Sequence, residues 1–424
     1  MNIINKKRIR YYYVAGVLIA FFGLFVSFKF TLSTGNLPWF EPRLCIDGPY
    51  YINGMISIAR SNDFLNLKDI YHSPGYQIYL ALIYKFFPYD GKIFYIVKIV
   101  SWVLNLLCAG LVFYLGEKYF SQYVGIIATI LFVWSTKYRI YINLLQPEVL
   151  LGFLLLMYVC FQMKAAEVKS KRKQLFLLFI SGTLSSVICL IQVRYIFIVL
   201  FGCVSIYLKH RARVMNKKLV YKNTLFQIFI FFLPFILIFV AWSVYYSFKN
   251  HCIITGQSRS LWRFMIGNNP NALGYSYPYP VMGKPAGFQF IISQPIRFLW
   301  LIKQRFLFLW DFKKDIWYLK SPIIEWLNMH SGKGIFEMPF YLVCFFAFLA
   351  GFLIKIRSDL NRSSIAITSS LYLTFFASII GPLLIFSSSR FLIPSVPLIV
   401  LFQSYFIIWF FQKLKNITIP LKAG

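Results

Sequence analysis

The chain has 424 residues, 59% of them hydrophobic and only 13% charged. A soluble domain carries about 25% charged residues, so this chain lacks the polar surface to stay in water. Its 44 Lys and Arg against 13 Asp and Glu give a net charge of +31, but they lie in short clusters between apolar runs, which indicates orientation in a bilayer and not nucleic-acid binding.

In chain order, Asn2–Arg10 and the apolar run behind it mimic a signal peptide. The run is too long for an h-region and lacks a small-residue cleavage site, so it is read as a retained first span near 11–32. Further spans are placed near 92–116, 122–138, 148–163, 174–191, 195–208, 223–247, 336–354, 364–386 and 392–411. Several fall short of about 20 residues, the length that crosses a bilayer upright, and these must tilt, extend or break. Pro74–Pro88 is apolar but short and opens on Pro-Gly, so it reads as a helix lying at the membrane surface. The Trp and Tyr of 300–326 read as one or two more interfacial helices. The fold class is therefore an all-α membrane protein: a bundle of about ten transmembrane helices with extracytoplasmic juxtamembrane helices and one long external segment. Three parts follow: an N-terminal transmembrane module at 1–247 with a first external loop at 33–90, the external segment 248–335, and C-terminal helices at 336–424.

Charge orients this layout. With the N-terminus inside, the inner segments 1–10, 117–121, 164–173, 209–222, 355–362 and 412–424 hold 4, 1, 5, 6, 3 and 3 Lys/Arg, half of the chain's 44. The short outer turns at 139–147, 192–194 and 387–391 hold one each. The positive-inside rule then places both termini in the cytoplasm. Of the acids, only Glu117, Glu167 and Asp359 fall inside. Carboxylates are the usual proton acceptors in group transfer, so the chemistry is expected on the extracytoplasmic face.

The stretch Glu41–Gly75 is the first that faces water on that side, and it holds Ile46-Asp47-Gly48-Pro49-Tyr50-Tyr51 and His72-Ser73-Pro74-Gly75. A first span, an outer loop with Asp-Gly-x-x-Tyr and a surface helix opened by His-Ser-Pro-Gly-Tyr resemble the GT-C membrane glycosyltransferases. The likeness is to the dolichyl-phosphate-mannose–protein mannosyltransferases and the bacterial lipid A aminoarabinose transferases. Their surface-helix entry often reads His-Pro-Pro, where this chain has His72-Ser73-Pro74. Gln146-Pro147-Glu148, Gly267-Asn268-Asn269-Pro270 and Ser389-Arg390-Phe391-Leu392-Ile393-Pro394 follow in matching order. The resemblance implies a GT-C-like bundle and a sugar donor carried on a polyprenyl phosphate. It also implies transfer to an acceptor hydroxyl outside, with inversion, and a catalytic Asp in the first outer loop, here Asp47.

Residue chemistry fits that expectation. Asp47 is placed as general base, since a carboxylate can take the proton of an attacking hydroxyl; a helix cap in Asp-Gly-Pro is the alternative. Glu148 would orient the acceptor or tune Asp47, or else simply complement a helix N-terminus. Arg194 and Arg390 each stand alone at the outer end of a span, and one of them is expected to hold the leaving phosphate; snorkelling is the alternative. Lys85, Arg259 and Arg263 are second-rank phosphate ligands. Tyr50, Tyr51 and His72 are candidate sugar or acceptor contacts, with an interfacial position for the tyrosines and a turn at His72 as the alternatives; Asn268 and Asn269 read first as a tight turn and second as sugar contacts.

No Rossmann, P-loop or HExxH pattern occurs, and the seven Cys show neither CxxC nor metal spacing. Only Cys45 and Cys252 are read as external, leaving a disulfide between them open. No cofactor is expected, with a divalent ion between Asp47 and Glu148 as the open alternative. The partners implied are the polyprenyl-phosphate-linked sugar, the lipid bilayer and an acceptor glycan, lipid or protein. A lipid or glycan flippase would need a charged path through the membrane centre; a glycan polymerase or ligase would depend on external Arg more than on Asp47.

Overall fold

The computed structural model describes residues 3–34, 48–61, 72, 74–88, 93–211, 217–251, 254, 264–265, 267–272, 287–310, 337–361, 364–385 and 389–418. Among these residues there is no strand. The helices are α1 (Ile3–Thr34), α2 (Gly48–Ser61), α3 (Pro74–Phe86), α4 (Ile93–Tyr119), α5 (Gln122–Val133), α6 (Thr136–Ile142), α7 (Glu148–Glu167), α8 (Lys171–Ile191), α9 (Phe197–Arg211), α10 (Lys217–Pro234) and α11 (Ala241–Lys249). They continue with α12 (Phe288–Ser293), α13 (Pro295–Leu309), α14 (Glu337–Asn361), α15 (Ile365–Leu384) and α16 (Val396–Thr418). Short 3-10 segments at Val193–Ile196 and Ser389–Ser395 lead into α9 and α16.

Local sequence explains most boundaries. Pro74 opens α3 and Pro295 opens α13, where a missing N–H costs nothing. Ser121 caps α5 by accepting from Val124 N, and Ser135 caps α6 by accepting from Tyr138 N. Pro234 ends regular α-helix, and six residues of π-helix (Phe235–Val240) carry the chain on into α11.

Six described helical stretches are long and apolar enough to cross a membrane: Phe94–Tyr119, Glu148–Glu167, Lys171–Ile191, Asn223–Lys249, Ile365–Leu384 and Arg390–Leu414. Val14–Lys29 and Gln122–Val133 are shorter apolar helices. The span expected at 122–138 stops at Val133, and the chain turns through Trp134 into α6. The span expected at 336–354 runs on to Asn361. It can do so because Lys355 and Asp359, one turn apart and both buried, form an ion pair that leaves neither charge alone.

The core is aliphatic along α4, α7 and α8 and aromatic between α14, α15 and α16, where Phe348, Phe352, Tyr372, Phe375 and Phe402 pack ring against ring. Two ends of the bundle differ in chemistry. At one, Lys118 pairs with Glu167, tying α4 to α7. There too Asp359 accepts from Lys355, from Ser364 Oγ at 2.9 Å and from Tyr372 Oη at 2.6 Å. Buried Lys209 donates to Gln162 O at 2.9 Å, Gln162 Oε1 at 3.1 Å and Ser370 Oγ at 2.6 Å. The opposite end carries α2, α3, the start of α7, both 3-10 segments and α13.

Candidate active site

At that opposite end, the starts of α7, α9 and α16 converge. Glu148 is the first residue of α7, behind Pro147, and is 1% exposed. The positive end of the helix dipole favours a carboxylate there. Arg390 lies in the 3-10 segment before α16, with Nε 3.8 Å from Glu148 Oε1. Arg194 lies in the 3-10 segment before α9. The two arginines, 196 positions apart in sequence, share a single ring: Arg194 Cζ is 3.5 Å and Arg390 Cζ 5.1 Å from the centroid of buried Phe391. An aromatic face is a favourable seat for a guanidinium that has been taken out of water.

Burial pushes the Arg194 guanidinium down to about 10; Tyr195, Glu148 and Tyr51 pull it back up, and Arg390 opposes them. It stays cationic at neutral pH. Arg194, Arg390, Glu148 and Tyr51 thus form one electrostatic neighbourhood.

Close packing holds these pieces in place. A Cβ on Gly75 would lie 2.7 Å from Ile191 N, so α3 presses directly on the end of α8 that leads to Arg194. A Cβ on Gly381 would lie 2.2 Å from Arg194 O, so α15 clamps the same turn from another side. The His72 ring packs on Tyr50 at 4.9 Å and on Tyr51 at 5.2 Å, joining the start of α2 to the entry of α3. Tyr51 meets Tyr76 edge-on at 4.9 Å, which locks the two helices together.

Of the residues singled out in the sequence, Glu148, Arg194, Arg390, Tyr51, Tyr50 and His72 therefore gather at one end of the bundle. Lys85 is exposed in the last turn of α3, about 15 Å along that helix from Gly75. Asp47, Arg259 and Arg263 lie outside the described residues, as do Cys45 and Cys252; Asp47 immediately precedes Gly48, the first residue of α2.

Asn268 and Asn269 are fully buried. Asn268 Nδ2 donates to Phe264 O and Leu384 O, each at 2.9 Å, and its Oδ1 accepts from Arg305 Nη2 at 3.1 Å. Asn269 Oδ1 accepts from Asn271 N at 2.8 Å. The turn reading of this motif thus accounts for Asn268, whose amide is committed to protein partners.

Arg305 was not apparent in the sequence. It is wholly buried and donates from Nη1 to Leu383 O and Leu384 O at 2.9 and 3.0 Å, and from Nη2 to Gly267 O at 2.6 Å. It binds α13 and the 267–268 turn to the end of α15, four residues before the segment that carries Arg390. Phe391 belongs to the Ser389–Pro394 motif, and its place beside Arg390 is the signal the sequence offers for it. Among the described residues, no group of three or more His, Cys, Asp or Glu is arranged to hold a metal ion.

This all-helical architecture is the GT-C fold. The chain is similar to the oligosaccharyltransferase of Archaeoglobus fulgidus in its apo form, with TM-score 0.54 and 12% identity over 96% of this chain and 52% of that one. It is likewise similar to the same enzyme tethered by a disulfide bond to an acceptor peptide containing the NVT sequon (TM-score 0.52, 13% identity, 94% and 50% covered). A third structure, oligosaccharyltransferase AglB from that organism with an inhibitory peptide and a dolichol-phosphate, gives TM-score 0.50 and 12% identity over 98% and 52%. The chain spans about half the length of these enzymes. No protein-family model and no curated protein matches its sequence.

Proposed function

We propose that this chain is a multi-pass glycosyltransferase of the cell membrane that moves a sugar from a polyprenyl-phosphate donor to an acceptor hydroxyl, with inversion. The end of the bundle bearing Glu148, Arg194 and Arg390 faces the extracytoplasmic side, and both termini face the cytoplasm. The observation that carries the reading is the pair of guanidiniums on Phe391 beside buried Glu148. A departing lipid phosphate is an anion held where bilayer meets water, and preorganised cations there stabilise it as the bond breaks. The polyprenyl tail stays in lipid, each buried CH₂ contributing about 0.8 kcal/mol. Glu148 keeps Arg390 aimed and limits the net positive charge. Asp47, at the threshold of α2, takes the proton of the attacking hydroxyl as the new C–O bond forms. Lys85, Arg259 and Arg263 are secondary phosphate contacts, and Tyr50, Tyr51 and His72 form an aromatic wall for sugar or acceptor. The acceptor is a glycan, a lipid or a protein. The positive-inside distribution of charge supports the orientation.

The test uses membranes containing the chain, radiolabelled polyprenyl-phosphate sugars and cell-envelope extract. Asp47→Asn keeps shape but cannot accept a proton. Its transfer rate should fall at least ~100-fold, with donor binding retained. Arg390→Gln should weaken donor binding itself. Undiminished transfer by Asp47→Asn would remove Asp47 from the mechanism. Translocation of lipid without any new glycosidic bond would replace the transferase reading by a flippase.

A further inference from the structure

Three buried polar side chains lie on the segments that carry or flank Glu148 and Arg194. Tyr195 follows Arg194 in the same 3-10 segment and is wholly buried. Gln146 stands two residues before Glu148 and is 8% exposed. Asn105 belongs to α4. Cys108, one turn further along α4, lies 3.7 Å from Tyr138 Oη, which donates to Val149 O at 3.4 Å. Asn105 and Cys108, three positions apart, share a face of α4, and these contacts turn that face toward the first turn of α7. Asn105 is 2% exposed in the middle of a candidate span.

Asn105 Nδ2, Gln146 Oε1 and Tyr195 Oη have no hydrogen-bond partner among the described residues. A buried polar atom left unpaired costs on the order of 1–3 kcal/mol, so three at this end of the bundle are a substantial standing cost. Sites that recognise a ligand's hydroxyls carry such a cost until the ligand arrives. The set contains one donor, one acceptor and one hydroxyl that can be either, and none is charged. That combination suits a neutral ring bearing hydroxyl groups, each of which both donates and accepts.

We propose that Asn105, Gln146 and Tyr195 form the floor that binds the hydroxyls of the donor's glycosyl group, directly below the arginines that hold its phosphate. The proposal rests on the donor reading above and adds to it the place of the sugar. It also separates two energetic parts. The phosphate is gripped by Arg194 and Arg390, and the sugar is recognised by uncharged groups deeper in the bundle.

The experiment uses the purified full-length chain in detergent and two probes: decaprenyl phosphate, and decaprenyl phosphate bearing glucose, mannose, galactose or arabinose. Affinities are measured by native mass spectrometry and melting temperature by fluorescence. In the wild type at least one sugar-bearing lipid should bind more tightly than the bare lipid phosphate. Asn105→Leu and Tyr195→Phe should each reduce that advantage roughly five- to tenfold while leaving bare-lipid affinity within about twofold. Their melting temperatures should be equal to or above wild type, because an unsatisfied buried polar group has been replaced by an apolar one. A merely structural role would instead lower the melting temperature and weaken both lipids together, which overturns the proposal. Arg390-dependent binding of bare lipid without any sugar-dependent gain also overturns it, and leaves the phosphate site standing. Failure of the wild type to bind bare lipid phosphate would overturn the donor reading and this proposal with it.

Discussion

Arg305 offers the most quantitative test of how the site is held. Arg305→Met keeps an apolar stem but removes all four donated hydrogen bonds, to Leu383 O, Leu384 O, Gly267 O and Asn268 Oδ1. Hydrogen bonds from a charged group contribute about 1.5–3 kcal/mol each, and the desolvation of a buried guanidinium offsets several kcal/mol of their sum. Leu384 O keeps its bond from Asn268 Nδ2, while Leu383 O and Gly267 O lose the Arg305 donor. The net expectation is a destabilisation of about 3–5 kcal/mol, the usual range for breaking a buried charged network. The assay is denaturant unfolding in mild detergent followed by tryptophan fluorescence. Arg305→Lys, which lacks the planar fork, should recover only part of the loss. In the Arg305→Met, Asn268→Leu double variant the two losses should be non-additive, because the side chains touch. An Arg305→Met protein within about 0.5 kcal/mol of wild type would refute the claim that this residue fastens α13 to the end of α15.

Gly381→Ala should weaken binding of bare decaprenyl phosphate, because its methyl group meets the rigid Arg194 carbonyl at 2.2 Å, and equilibrium binding reads the effect directly. Asp359→Ala, at the other end of the bundle, strands buried Lys355 and should cost about 3–5 kcal/mol of stability with the apparent KM for donor lipid unchanged. The pH response of lipid binding follows from Arg194, whose guanidinium is lowered to about 10. A base loses its charge as pH rises through its pKa, so affinity for lipid phosphate should be flat from about pH 7.5 to 9 and fall above 10, checked by a binding titration across that range.

The sequence made the membrane class, most spans and the opening of α3 and α7 readable, because hydropathy runs and prolines act locally. Arg194 and Arg390 stood out because each broke the charge pattern of its own turn. Their meeting on Phe391 was not readable: it is set by the packing of α9, α15 and α16 across nearly 200 residues. Arg305 was hidden for a related reason. Its partners lie 37 to 79 residues away and are mostly backbone carbonyls, which have no sequence signature. Asn105 passed as one polar residue in an apolar run, because only the neighbouring helix gives it a level. The motif resemblance read from the sequence and the structural likeness to an archaeal oligosaccharyltransferase meet at the level of the fold alone.

Phe391 has a consequence for how the protein comes to be made. Glu148 leaves the ribosome early, Arg194 some fifty residues later, and the ring and its neighbouring guanidinium almost two hundred after that. Until that last instalment arrives, the newborn protein has an acid and one cation with nothing to hold them in common. On the proposed reading, the lipid-phosphate site is therefore completed in a single late step of biosynthesis, and a chain halted before Phe391 should leave donor lipids untouched.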